Sequence, residues 1–182
     1  MKATAMVRRI DDLRRVVIPK EIRRTLRLRE GTPLEIFTDR EGEIILKKYS
    51  PMVELAAFAG QYAEAMSQAT GLIVCITDRD QVIAVSGGAR KELLQKAISQ
   101  SLERVINERQ TIQAGKDDKS FVRLVDEELE GITAQVVAPI ICEGDAIGAV
   151  AIMSREPRAR FGEMELKLAA TACGFLGRQM ES

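Results

Sequence analysis

Histidine is absent from this 182-residue chain, and so is tryptophan. The first absence removes the commonest general base and the commonest ligand for a transition metal. Cysteine is scarce: Cys75, Cys142 and Cys173 make an odd number and share no C-x-x-C spacing, so neither a disulfide framework nor a thiolate metal site is indicated, and no metal ligand is assigned. An enzyme would have to rely on carboxylates or a lone thiol, and neither Asp78 with Asp80 nor Cys75 has an evident base partner. No enzymatic activity is expected, and no catalytic residue is assigned. Long apolar runs are missing too. Nothing approaches the ~20 residues that span a bilayer, and the amino terminus lacks the charged-then-apolar pattern of a signal peptide. The expected location is the cytoplasm.

Net charge is also lacking, but only in the sum. The chain carries 27 basic and 27 acidic residues, which taken whole argues against a nucleic-acid partner. Split at Ser50, the halves differ: residues 1–50 hold 13 Lys/Arg against 8 Asp/Glu, a net of +5, and residues 51–182 hold 14 against 19, a net of −5. Opposite signs suggest two domains with different partners, at 1–50 and 51–182.

Basic side chains of the first domain are packed between short apolar runs from Arg8 to Leu26. Met6–Ile10 and Arg15–Ile18 are rich in β-branched residues and predict two strands, joined by a turn at Asp11–Arg14. Pro19 suits the first position of a helix, because its missing N–H has no intrahelical partner there. The predicted helix runs from about Pro19 to Leu28, with Ile22 and Leu26 on one face and Gly31 as a stop. Leu34–Thr38 and Glu43–Lys47 then predict a hairpin around Asp39-Arg40-Glu41-Gly42. A domain this small buries only about 60% of its unfolded surface and has no disulfide or metal to compensate. Size alone therefore predicts a homodimer that shares strands.

Val7-Arg8-Arg9-Ile10-Asp11, followed by Arg15-Val16-Val17-Ile18-Pro19-Lys20-Glu21-Ile22-Arg23, resembles the AbrB-type swapped-hairpin domain of bacterial transition-state regulators and some antitoxins. The resemblance implies an all-β swapped-hairpin barrel with one short helix, formed by a dimer and setting paired arginines on double-stranded DNA. Carried over by position, the DNA-binding residues are Arg8, Arg15, Arg23 and Arg24, with Arg9 and Lys2 added. Where the family usually has glycine between the first two strands, this chain has Arg14. A turn demanding φ > 0 there would cost on the order of 1 kcal/mol. Residues 1–50 contain neither Asn nor Gln, so the bidentate amide contact to adenine cannot come from them. Phosphate contacts and DNA shape are expected to dominate recognition.

In the second domain, Leu55, Phe58, Ala59, Tyr62, Ala63 and Met66 recur at helical spacing and predict a helix over 52–69, opened by Pro51. Strands are predicted at Leu72–Thr77, Gln81–Ser86, Ser120–Leu124, Thr133–Cys142 and Ala146–Ser154, and helices at Lys91–Ser99, Ser101–Glu108 and from Phe161 to Met180. This is an α+β domain with an antiparallel sheet flanked by helices. Val136–Ile141 with Gly144–Ile152 resembles the central hairpin of GAF sensor domains. The order of the two domains resembles a family of transcription regulators of the developing spore, which implies a nucleoid-associated activator or repressor that assembles as a homotetramer through GAF helices. Ala169, Ala170, Ala172, Gly174 and Gly177 leave little bulk on the closing helix, which permits close approach of another helix or of the parent sheet. Cyclic nucleotides are disfavoured as ligands because Asn107, the single asparagine, lies in no N-K-x-F-D-E pattern. An unidentified small molecule in the GAF domain stays open, and no cofactor is assigned. The other reading is an antitoxin-like protein that binds DNA and inhibits a partner toxin through its tail.

Overall fold

The computed structural model describes residues 7–49, 56–127 and 129–181. The chain divides into two compact units, Met1–Tyr49 and Ser50–Ser182.

In the first unit, α1 (Lys20–Thr25) is followed by an antiparallel hairpin of β1 (Leu34–Thr38) and β2 (Ile44–Lys48), paired from Leu34 with Lys48 to Thr38 with Ile44. Asp39 holds the connecting turn, its Oδ1 accepting the backbone N–H groups of Glu41 at 3.0 Å and Glu43 at 2.9 Å. The helix is shorter than the Pro19–Leu28 expectation. It ends because Arg27 turns left-handed (φ 50°), which lets the N–H of Leu28 reach the carbonyl of Arg23 at 2.7 Å and that of Arg27 reach Arg24 at 3.3 Å. These are the paired bonds of a Schellman stop.

The strands expected at Met6–Ile10 and Arg15–Ile18 are not formed. Residues 7–10 and 15–18 are irregular, and Met6 lies outside the described residues. The physical reason is visible in their surroundings: within one chain these segments have no ladder to join, and Val7 (96%), Ile10 (69%), Leu13 (69%), Val16 (58%) and Val17 (65%) stay exposed. Pro19 is the one buried residue among the described residues of this unit.

The second unit opens with α2 (Ala56–Thr70) and continues through β3 (Ile73–Thr77), β4 (Val82–Ser86), α3 (Arg90–Leu93), α4 (Gln100–Glu108), β5 (Ile112–Gly115), β6 (Ala134–Cys142), β7 (Asp145–Ser154) and α5 (Glu163–Gln179). Residues 50–55, including Pro51 and the start expected for α2, lie outside the described residues. The five strands form one antiparallel sheet in the order β4-β3-β7-β6-β5. Both faces are covered, which is why the strands read as nearly continuous apolar runs rather than alternating ones. Val74, Ile76, Val136, Ala138, Ile140, Val150 and Ile152 pack beneath α2 and α5. Cys75, Val85, Val137, Ala151 and Met153 face the other way, into a core with Leu93, Leu102 and Ile106 from α3 and α4. Glu143 and Gly144 join β6 to β7, both with positive φ (48° and 87°). Such a two-residue turn matches the twist of a tight hairpin.

Two expectations in this unit are corrected, and one strand is added. The helix predicted over Lys91–Ser99 stops at Leu93, because the chain then bonds to the sheet edge: Gln95 N–H donates to the Val82 carbonyl and Val82 N–H to the Lys96 carbonyl, each at 2.9 Å. Ser120–Leu124 is not a strand. Ser99 N–H donates to the Leu124 carbonyl and Val125 bridges Ile98, but no run of neighbouring backbone groups extends that contact. Strand β5 was not expected, and it pairs from Ile112 with Val137 to Gly115 with Ala134.

Candidate nucleic-acid interface

Asp11 builds the first part of the basic surface. Its Oδ1 accepts the backbone N–H groups of Leu13 (2.9 Å) and Arg15 (2.8 Å), and its Oδ2 takes the Arg15 guanidinium, with Nε at 3.0 Å and Nη2 at 2.9 Å. The Arg15 backbone N–H, and after it the Arg15 guanidinium, holds the Asp11 carboxyl below its usual value of 3.8. The Asp11 N–H donates to the Arg15 carbonyl at 3.0 Å, and the Arg14 N–H to the Asp11 carbonyl at 2.9 Å. That closure drives Arg14 to φ 61°, so the turn does demand the left-handed region in which glycine is unstrained.

Of the residues singled out from the sequence, Arg8 and Arg9 lie exposed on the irregular segment before Asp11, and Arg15 is exposed but tied to Asp11. Arg23 and Arg24 stand together, exposed, in the last turn of α1, a helix with no buried residue. Lys2 lies outside the described residues. Sequence reasoning missed Asp11 as the organiser of Arg15, although an acid four residues before the arginine was there to be read. It also missed Arg27, a further exposed cation held with positive φ at the stop of α1.

The second unit offers little nucleophilic chemistry. Burial pushes Cys75 up to about 12 and Cys173 up to about 12. Cys142 is raised as well, by burial first and then by the charges of Glu181, Glu143 and Asp145. All three thiols are therefore protonated at neutral pH, and the reactive thiolate is not formed. Asp78 is buried, and its Oδ1 accepts the N–H groups of Asp80 and Gln81, each at 2.7 Å. Its carboxylate caps the β3–β4 turn.

Comparison with known proteins assigns both units. Residues 7–53 match the family described as antidote-toxin recognition MazE, bacterial antitoxin, and 51 residues are 59% identical to the transition state regulatory protein AbrB of Bacillus subtilis (strain 168), over 28% of this chain and 52% of that protein. The second unit shares its fold with a GAF domain of the nutrient sensor CodY from Clostridium difficile (TM-score 0.52, 14% identity, 66% of this chain and 83% of that one) and with a free methionine-R-sulfoxide reductase from Thermoplasma acidophilum (TM-score 0.57, 11% identity, 71% and 94%). At such identities the likeness carries the fold and no activity. The chain is thus an AbrB-type domain followed by a GAF-like domain, the make-up of a DNA-binding transcription regulator. Residues 54–181 match the model for stage V sporulation protein T C-terminal, transcription factor, and the whole chain is 55% identical over 181 residues to stage V sporulation protein T of Bacillus subtilis (strain 168), covering 100% of this chain and 99% of that protein. The chain belongs to the stage V sporulation protein T family of sporulation transcription regulators.

Proposed function

We propose that two copies of Met1–Tyr49 complete one another as a swapped-hairpin barrel and present Arg8, Arg9, Arg15, Arg23 and Arg24 to double-stranded DNA, with Lys2 beside them. One observation carries this reading. Five apolar residues, Val7, Ile10, Leu13, Val16 and Val17, stay exposed between the arginines in a unit whose one buried described residue is Pro19. Strand-forming segments with unpaired edges and uncovered apolar side chains are what a second copy would pair and bury. The cations would then be doubled on one surface.

The second unit, in this reading, assembles the dimers into a tetramer and senses a small molecule. On α5, Ala169, Ala172, Leu176 and Gly177 are buried against the sheet of their own unit, whereas Met164, Ala170, Gly174 and Phe175 are exposed. Phe175 already stacks on Tyr62 (ring centroids 5.4 Å) and meets Phe58 (5.6 Å) of its own unit, so Met164, Ala170 and Gly174 are what this face would offer a counterpart helix. The complex would act at the nucleoid as an activator or a repressor. The antitoxin alternative is not favoured, because residues 56–181 hold a five-stranded sheet with two buried faces where a toxin-binding tail would be disordered and charged.

A salt titration of the full-length protein on duplex DNA tests the DNA part. Several phosphates neutralised per dimer predict a log–log slope of roughly −0.9 for each. A flat response would exclude an arginine grip on the backbone.

A further inference from the structure

Arg15 differs from the other cations of the basic surface in having an acid against it. Asp11 Oδ2 takes two N–H groups from one side of the guanidinium, Nε at 3.0 Å and Nη2 at 2.9 Å. The acid is itself fixed to the backbone, since its Oδ1 accepts the N–H groups of Leu13 at 2.9 Å and of Arg15 at 2.8 Å. An exposed ion pair between two mobile side chains is worth little, but here one partner is anchored by the turn and the other is gripped on two nitrogens. The guanidinium is thereby held in one orientation, although the Arg15 side chain is 65% exposed. Arg8, Arg9, Arg23 and Arg24 are exposed as well, and among the described residues none of them is paired with an acid.

Charge and geometry together set Arg15 apart. The Asp11 carboxylate offsets its charge, which makes it a poor grip for a phosphate. The end of the guanidinium, Nη1 together with the second N–H of Nη2, points away from Asp11, and two parallel donors of this kind match the O6 and N7 acceptors of guanine in the major groove. We infer that Arg15 reads a guanine, with Asp11 as the positioning residue that aims it, while Arg8, Arg9, Arg23 and Arg24 hold phosphates. Residues 1–50 contain no Asn or Gln to share the reading of bases. This inference rests on the DNA-binding reading above and deepens it, dividing five arginines into one that specifies and four that grip.

Selection of duplexes from a random library by the full-length protein tests it, repeated with Arg15→Ala and with Asp11→Asn, which keeps the Oδ1 acceptor and loses the charge. Wild type is expected to prefer guanine at a defined position, and Arg15→Ala to lose that preference. Placing 7-deazaguanine there, which lacks N7, should weaken wild-type binding about tenfold, and placing hypoxanthine there, which keeps O6 and N7, should not. Asp11→Asn separates aiming from scaffolding: the released arginine becomes a free cation, so affinity for unrelated duplexes should rise and the salt slope steepen by roughly 0.9 for each phosphate gained, while the guanine preference falls. A fall in both affinity and preference would assign Asp11 to the turn alone and overturn its aiming role. Salt-sensitive binding without a guanine preference, or a preference indifferent to 7-deazaguanine, overturns the inference with no variant needed and leaves the DNA-binding reading standing. Binding to no duplex at all overturns both.

Discussion

Arg14 and Asp11 are the two halves of one local decision. Asp11 folds the turn by accepting backbone N–H groups and the Arg15 guanidinium, and the turn then forces Arg14 into a conformation that a side chain resists. Arg14→Gly is therefore expected to stabilise the protein by about 0.5–1 kcal/mol, since relief of left-handed strain outweighs the extra freedom of glycine in the unfolded chain. Arg14→Ala removes the same charge but keeps the strain, so denaturant unfolding of the two variants separates conformation from charge. The Asp11 carboxyl is lowered in the folded protein, so its contribution is present above its ordinary value of 3.8 and is lost as pH falls through the lower folded value. Unfolding followed from pH 6 down to pH 2 should show wild type losing stability over a range in which Asp11→Ala does not. The question of φ > 0 at Arg14 came from the family resemblance, in which glycine usually holds that place, and the structure answers it with φ 61°. The hold of Asp11 on Arg15 was not legible, because a spacing of four between acid and base carries no sign that the turn will aim two backbone N–H groups at the same carboxylate.

Elements whose pattern is satisfied inside one chain were the legible ones. The β1–β2 hairpin, the β3–β4 pair and the β6–β7 hairpin were readable because apolar runs were punctuated by Asp, Gly and Glu-Gly turns. Strand β5 was hidden by its polar lead of Gln110 and Thr111 and by Gln113, and its place is set by pairing to β6 rather than by its own propensity. The helix at Lys91 was cut short for a similar reason, since Gln95 and Lys96 find backbone partners on Val82. Helix α5 is seated by a close approach. A Cβ built on Gly177 would lie 2.2 Å from the Ile141 carbonyl oxygen, whereas one on Gly174 would meet nothing within 4 Å. Gly177→Ala should accordingly destabilise the second unit by about 2 kcal/mol through forced displacement of the helix from β6, and Gly174→Ala should not destabilise it. Paired denaturation curves check the contrast. The small residues of this helix are thus divided between the parent sheet and an outer face, a division that composition alone could not draw.

At the scale of the whole molecule, charge and core are distributed unequally. The acidic second unit carries a complete core on both faces of its sheet, and the basic first unit carries almost none, with its apolar residues interleaved among arginines. Sequence patterning anticipated strands at residues 6–10 and 15–18, and one chain leaves that pairing potential unused. We read this as the signature of a partner copy, so that the fold of the first unit and its grip on DNA depend on the same association. The double variant Arg23→Ala with Arg24→Ala tests that account most directly, examined by sedimentation and by DNA binding across several unrelated duplexes. The account predicts an unchanged oligomer, weaker binding on every duplex and a shallower salt dependence. Undiminished affinity, or dissociation of the oligomer, would contradict it.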